Sequence, residues 1–270
     1  MIDAGDISLV VSTYNWPEAL LVSLESVRRQ SALPREVIVA DDGSDERTRT
    51  LIEELARDFP VPLRHVWHAD EGFRKTIIMN LAVRVASAPY IVQTDGDIVL
   101  HRHFIRDHAA MASEGYFVRG GRMMLPEKAT GRILAGGRTG SWHLGSWRLF
   151  WAGRHKANGI RLFALARIAS RRSGDIYHVK GCNMAYWKAD FVRVNGYNND
   201  ITGWGHEDVE LAARLHNAGV AMRKVKFAAL CCHLHHGHYS RGDERANFAL
   251  FEQVVHSGVA RCERGYDPVL

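Results

Sequence analysis

Four short apolar runs alternate with helical periods over roughly the first hundred residues of this chain, and few folds accept that alternation. Ile7 to Ser12 (ISLVVS), Val37 to Ala40 (VIVA), Leu63 to Trp67 and Tyr90 to Val92 read as strands. Between them apolar residues recur at helical spacing. Leu20, Leu21, Leu24 and Val27 do so within Glu18 to Gln30. Leu51, Ile52, Leu55 and Ala56 do so within Asp45 to Phe59, and Ile78, Leu81, Ala82 and Val85 within Lys75 to Ala86. Strands separated by helices predict an α/β fold, a mostly parallel central sheet with helices on both faces. Two of these strands end on carboxylates: VIVA runs into Asp41-Asp42-Gly43-Ser44, and YIVQT into Asp95-Gly96-Asp97. Open α/β sheets bind ligands at that end of their strands.

The rhythm changes after about residue 101. His103 to Glu114 reads as a helix, Tyr116 to Arg119 as a strand, and the glycine-rich stretch Gly120 to Gly145 as loop. Trp147 to Arg172 carries seven Lys/Arg and no acid, interleaved with Trp147, Trp151, Phe163 and several aliphatic residues. Such a segment suits either an anionic membrane surface or an ordinary surface helix with a solvated basic face. Asp208 to Ala218 is a predicted helix closed by Gly219, Lys224 to Leu230 a strand, and Arg245 to His256 a last helix. No repeat, low-complexity tract or flexible linker interrupts the chain. One domain over 1–270 is therefore expected, with a ligand-binding half at about 1–115 and a second half at about 116–270.

Composition narrows the setting. With 46% hydrophobic residues, the 270-residue chain can fill a sizeable core, and no window approaches an apolar membrane span. The N-terminus lacks the basic and apolar pattern of a signal peptide. Cys182, Cys231, Cys232 and Cys262 form no CxxC pair, which fits a reducing compartment. A cytoplasmic location is expected, with peripheral membrane attachment as an addition. The net charge of +5 favours anionic partners without choosing among them.

Three stretches carry candidate chemistry. Asp95 and Asp97 repel each other unless a cation sits beside them, and Mg²⁺ or Mn²⁺ would suit such oxygens and clamp phosphates. Asp-Gly is also a common turn dipeptide. The Asp41-Asp42-Gly43-Ser44 turn could contact a nucleotide's base or ribose, but capping of the next helix by Ser44 and Asp45 explains it at least as simply. Gly203-Trp204-Gly205-His206-Glu207-Asp208 precedes a helix. Acids in a first helical turn are favourable by themselves, yet that does not account for a tryptophan between two glycines. An indole there suits the face of a sugar, and a neighbouring carboxylate suits a general base. Finally, His233-Leu234-His235-His236 follows a predicted strand in a cluster ending at His238. His236, three residues from His233, is a candidate metal ligand, while His235 and His238 read as structural.

Together these stretches resemble the family 2 glycosyltransferases of the GT-A fold. VVSTYNWPEALLVSLESV is similar to that family's opening strand and helix, VIVADDGSDERT to its nucleoside-binding turn, and QTDGDIV to its Asp-x-Asp motif. GWGHEDVELAARL is similar to the acceptor motif of galactosyltransferase-like and chondroitin-polymerase-like members. The resemblance runs from Ile7 to about His238. It implies that Asp42 bonds the uracil of a UDP-sugar with Asp41 in support, and that Ser12 and Tyr14 line the nucleoside pocket. Arg74 and Lys75 would touch the donor, Asp95 the ribose or the metal's water. Asp97, with His236 and His233, would hold Mn²⁺ or Mg²⁺. Trp204 would stack on a sugar, Asp208 would be the base, and Glu207 beside it would bind the acceptor. Residues 120–175 match none of these motifs.

The expected activity is an inverting, metal-dependent transfer of a hexose or N-acetylhexosamine. The donor is a UDP-sugar and the acceptor a hydroxyl of a glycan or glycolipid, in polysaccharide or lipopolysaccharide assembly. A base on a different segment from the metal carboxylate suits in-line attack. A nucleotidyltransferase on a similar scaffold is one alternative, but it would more often show a glycine-rich phosphate loop where this chain has STYNWPE. A nucleic-acid binder is the other. The basic charge suggests it, but no recognition motif does, so no nucleic-acid partner is expected.

Overall fold

The computed structural model describes residues 2–137, 159–237 and 242–267. Its first half is strands β1 (Ile7–Thr13), β2 (Glu36–Asp41), β3 (Leu63–Trp67) and β4 (Tyr90–Asp95), joined by helices α1 (Pro17–Arg28), α2 (Glu46–Ala56) and α3 (Lys75–Val85). The four strands are parallel in the order β3-β2-β1-β4. The chain winds outward from β1 to β3, then returns to lay β4 on the other side of β1. The crevice between β1 and β4 is thus the switch point of the sheet. Register sets Ser12 opposite Asp95 and Thr13 opposite Asp41, so carboxylates of two strands end level on one sheet edge.

Burial explains why these strands read as continuous apolar runs. Ile7, Leu9 and Val11 of β1 face a core shared with Leu20, Leu24 and Val27 of α1. Val10 faces the opposite core with Ile38, Ile78 and Val83. With helices on both faces, neither side of the strand needs polar residues.

The second half adds β5 (Ile98–Leu100), α4 (Phe104–Met111), β6 (Tyr116–Arg119), β7 (Met123–Met124), α5 (Glu127–Gly136), α6 (Phe163–Ala169), β8 (Arg171–Ser173) and β9 (Met184–Trp187). Then follow α7 (Lys188–Arg193), α8 (Glu207–Asn217), β10 (Ala221–Lys224), β11 (Cys231–His233) and α9 (Glu244–Ser257). β9 joins the main sheet antiparallel to β4, and β6, β10 and β8 continue it beyond β9. A small second sheet has the order β5-β11-β7.

Two sequence expectations need correction. The stretch from Gly120 to Gly145, expected as loop, holds β7 and α5 in its described part, 120–137, while 138–145 lie outside the described residues. That helix buries only Ala129, Thr130 and Ile133, and Gly131 interrupts it, so its apolar period is faint. The strand expected over Lys224 to Leu230 ends at Lys224. Phe227 and Ala229 adopt left-handed backbone angles, φ 60° and 51°, which no strand accepts, and extended structure resumes at Cys231.

Of the basic stretch Trp147 to Arg172, residues 147–158 lie outside the described residues, as does His238. In the rest, Arg161 is no solvated cation. Its guanidinium grips the fully buried carboxylate of Asp107 on α4 through two bonds, of 3.0 and 2.7 Å. Among the described residues, no helix is long and apolar enough to cross a membrane.

Candidate active site

The carboxyl ends of β1, β2 and β4 open onto a cavity of about 950 Å³ whose wall includes Ser12, Tyr14, Asp42, Lys75, Asp95 and Asp97. Trp204, Glu207, Asp208, His233 and His236 complete the expected residues on that wall. Asp41 and Arg74 stand behind it. The carboxylate of Asp41 is fully buried, accepting from the Ser44 amide at 2.8 Å and meeting His65 Nε2 at 2.8 Å, so it braces the turn. Asp42 presents its carboxylate to the cavity with His68 Nε2 at 2.7 Å from Oδ1, and it accepts the Arg74 amide on Oδ2 at 3.0 Å. Burial pushes the Asp42 carboxyl up despite those partners. Gly43, with φ 96°, turns the chain so tightly that a Cβ would collide with the Asp70 backbone. The Arg74 side chain turns away to Glu71 and the Ala69 carbonyl.

At the end of β4, Asp95 Oδ1 accepts from Ser12 Oγ at 2.8 Å and Lys75 Nζ at 3.0 Å. Burial opposes its charge, but the Lys75 ammonium and the Ser12 hydroxyl hold its carboxyl below the ordinary carboxylate range. The same ammonium lies 3.6 Å from Glu207 Oε1, so Lys75 ties the strand end to the start of α8.

Asp97, His233 and His236 meet because β11 pairs antiparallel with β5, setting His233 opposite Ile98. Their ligand atoms lie within 4.8 Å of one another. Asp97 Oδ2 is 3.4 Å from His233 Nε2 and 3.2 Å from His236 Nε2. Each imidazole has its Nδ1 on a backbone carbonyl, Leu234 at 2.7 Å and Gly237 at 2.5 Å. With Nδ1 the donor, each Nε2 turns a lone pair toward the carboxylate. Acceptors facing acceptors need a cation between them, and Asp97 Oδ1 is also buried without a hydrogen-bond partner. The set fits a divalent ion that accepts mixed oxygen and nitrogen ligands.

The turn from Gly203 to Asp208 is strained. Gly203, Gly205 and His206 all have positive φ (70°, 108° and 70°), and a Cβ on Gly203 would strike Asp243. The turn half-buries Trp204 at the cavity wall and starts α8 at Glu207. Asp208 Oδ2 accepts the Gly181 amide at 2.7 Å, and Oδ1 accepts the Tyr197 hydroxyl at 3.0 Å. Tyr197 is held in turn by Gln93, and Gln93 by Tyr186. Gly181 has no room for a side chain, because a Cβ would sit 2.1 Å from Asp208. Burial first, then the charge of Asp208, pushes the Glu207 carboxyl up to about 7.

The wall also holds residues the sequence reading did not single out: Arg122, Tyr177, Lys180 and Glu244. None lies in a motif. The one available signal was Arg122 in RGGR after a strand, where paired glycines let a backbone approach closely.

An open α/β sheet with paired carboxylates, a cation-ready triad and a helix-borne acid pair at its switch point defines the GT-A glycosyltransferase architecture. Residues 8–160 match the family model for glycosyl transferase family 2, and residues 164–237 match a model described as the N-terminal domain of galactosyltransferase. The chain belongs to glycosyl transferase family 2. It is 28% identical over 241 residues to validoxylamine A glucosyltransferase of Streptomyces hygroscopicus subsp. limoneus, covering 80% of this chain and 49% of that protein. To the chondroitin synthase of Escherichia coli it is 26% identical over 247 residues, covering 82% of this chain and 34% of that one. It thus spans half or less of these relatives' length. S. aureus TarS 1–349 in complex with UDP shares the fold, with a TM-score of 0.63 at 15% identity over 96% of this chain and 67% of that one. So does the mannosyltransferase PcManGT of Pyrobaculum calidifontis with GDP-Man and Mn²⁺, with a TM-score of 0.58 at 18% identity over 93% of this chain and 68% of that one.

Proposed function

We propose that this chain moves a hexose or N-acetylhexosamine from a UDP-sugar to a hydroxyl of a glycan or lipid-linked glycan, inverting the anomeric carbon with Mn²⁺ or Mg²⁺. The observation that carries the reading is one cavity uniting the Asp97–His233–His236 set with the Glu207–Asp208 pair on a separate element. Asp42 receives the uracil imide N–H, with Asp41 bracing it and Ser12 and Tyr14 lining the nucleoside pocket. Lys75 and Asp95 fix the ribose and diphosphate side, and the Arg74 backbone positions Asp42. Asp97, His233 and His236 would hold a divalent cation, which would supply positive charge to the departing diphosphate.

Asp208, oriented by Gly181 and Tyr197, takes the proton of the acceptor hydroxyl as its oxygen bonds the anomeric carbon. Trp204 offers the acceptor sugar a flat face, and Glu207 a hydrogen-bond partner. Two relatives support these classes: TarS binds UDP, and chondroitin synthase is named for a glycan product. A role in polysaccharide or lipopolysaccharide assembly, in the cytoplasm and against an anionic membrane surface, completes the reading. The half at about 1–115 serves the donor and that at about 116–270 the acceptor, with His233 and His236 reaching the donor's cation from the second half, all within one domain.

The experiment is calorimetry against UDP-, GDP- and dTDP-sugars, with and without Mn²⁺. Tightest binding of a UDP-sugar, dependent on Mn²⁺, is expected. Preference for another nucleotide would overturn the donor assignment.

A further inference from the structure

Gln93 is a buried amide in the middle of β4. Ile91 precedes it on the same face, and Val10 and Met184 lie opposite it in register, all three in one apolar core. An amide buried there costs free energy unless its donors and acceptor are met. They are met. Gln93 Nε2 lies 3.2 Å from the Gly181 carbonyl and 2.6 Å from the Tyr197 hydroxyl, and Oε1 is 2.8 Å from the Tyr186 hydroxyl.

The partners fix the direction of every bond. A carbonyl only accepts, so the amide nitrogen is the atom that faces Gly181. One Nε2 hydrogen goes there and the other to the Tyr197 oxygen. Oε1 is left for Tyr186, whose hydroxyl therefore donates. The Tyr197 oxygen already accepts from Gln93, so its own hydrogen is aimed at Asp208 Oδ1, 3.0 Å away. Burial first, then the charge of Asp208, pushes both phenols well up, so each keeps its proton. Gly181, held at its carbonyl by Gln93, donates its amide to Asp208 Oδ2 at 2.7 Å. Both oxygens of Asp208 are thus gripped by groups that one side chain holds. An apolar residue at 93 with phenylalanine at 186 and 197 would fill this space with no polar group to satisfy. The network ends instead on a half-buried carboxylate at the cavity wall.

We infer that Gln93 is a positioning residue: through Tyr197 and Gly181 it fixes the Asp208 carboxylate so that a free lone pair meets the acceptor hydroxyl. This rests on the reading of Asp208 as the base. As the acceptor oxygen bonds the anomeric carbon, the bond from that carbon to the diphosphate breaks, and its electron pair leaves with the diphosphate. The acceptor's proton passes to Asp208. None moves along the Gln93 chain, because the amide and the phenols keep theirs. Asp208 does not have to turn during the step, which keeps reorganisation out of the barrier. Gln93 stands two residues before Asp95 on β4, so the strand that meets the donor also sets the base.

The test is a double-mutant cycle on turnover. UDP release is followed for wild type with UDP-hexoses and UDP-N-acetylhexosamines over a panel of oligosaccharides, and the fastest pair is kept. Gln93→Met keeps the length and loses the amide, and Tyr197→Phe removes one oxygen. Each is measured alone and combined with Asp208→Asn. In either single variant kcat should fall by about tenfold to a hundredfold, as for a displaced reacting group, while UDP affinity and acceptor KM stay near wild type. In the Asp208→Asn background the same changes should cost less than about twofold, because no base is left to position. If Gln93→Met does not fold, Tyr197→Phe is read in the same way. A loss as large in the Asp208→Asn background as in wild type overturns the inference, and so does an unchanged kcat in the folded variants. Near-normal kcat in Asp208→Asn alone would sink the base reading and this inference with it. Wild type that releases UDP with no pair would sink the UDP-sugar reading and both claims that rest on it.

Discussion

The carboxylates at the start of α8 sit in different surroundings although they are neighbours in sequence. Asp208 is held by two donors and faces the cavity, so Asp208→Asn should keep the size and most of the packing but lose the proton acceptor. Turnover should fall by about 10² to 10⁴, while UDP affinity and thermal melting stay close to wild type. Near-normal kcat would make Asp208 a helix-start brace and move the base to Glu207. Glu207 yields a prediction about pH. Its carboxyl is pushed from the ordinary 4.5 up to about 7, so the folded protein holds that proton more tightly than the unfolded chain. The resulting stability is present below about 4.5 and is lost as pH rises through about 7. Glu207→Gln stays neutral throughout, so its melting temperature relative to wild type should climb between pH 5 and pH 8. At roughly 1.4 kcal/mol per pH unit, the shift from 4.5 to about 7 caps the gain at about 3 kcal/mol. A difference that is flat with pH would mean Glu207 is ionised over the whole range.

At the scale of elements, residues 159–172 of the basic stretch combine charge with unusual apolar exposure. Leu162, Leu165 and Ile168, at the start of α6 and along it, are 46%, 49% and 82% exposed, and Arg167, Arg171 and Arg172 are exposed beside them in sequence. Arg161 is excluded by its bond to Asp107. Near an anionic surface each exposed basic side chain contributes about 1 kcal/mol. Neutralising Arg167, Arg171 and Arg172 together should release the protein from anionic liposomes in co-sedimentation. Attachment that persists in the triple variant would rule this segment out as the anchor.

Across the whole molecule, legibility followed burial. β1 to β4 were readable because two covered faces leave uninterrupted apolar runs, and their terminal carboxylates broke those runs visibly. The GT-A class followed from motifs that keep local order, such as Asp95-Gly96-Asp97 and the Gly203 to Asp208 turn. What did not show was distance through space. β9 enters the sheet beside β4 from almost a hundred residues downstream, judging by Tyr90 opposite Trp187. The residues that β9's approach brings to the cavity, Gly181 and Cys182, belong to no motif. Arg122 was hidden for the same reason: its place on the cavity wall is set by contacts to Cys182 and through Gly121 to Asn183, not by its neighbours in sequence. Phe227 and Ala229 defeated the strand reading because left-handed backbone at such residues is set by tertiary contacts rather than by propensity.

The central claim is that the ends of β4 and β11 jointly hold a cation that the nucleotide's diphosphate needs. Calorimetric titration of UDP into wild type and Asp97→Ala, each with Mn²⁺ and with EDTA, tests it most directly. Wild type should bind UDP markedly more tightly with Mn²⁺. Asp97→Ala, melting normally, should bind equally in both conditions, at the level of wild type in EDTA. Binding of UDP by Asp97→Ala that remains as tight and as Mn²⁺-dependent as in wild type would contradict the account.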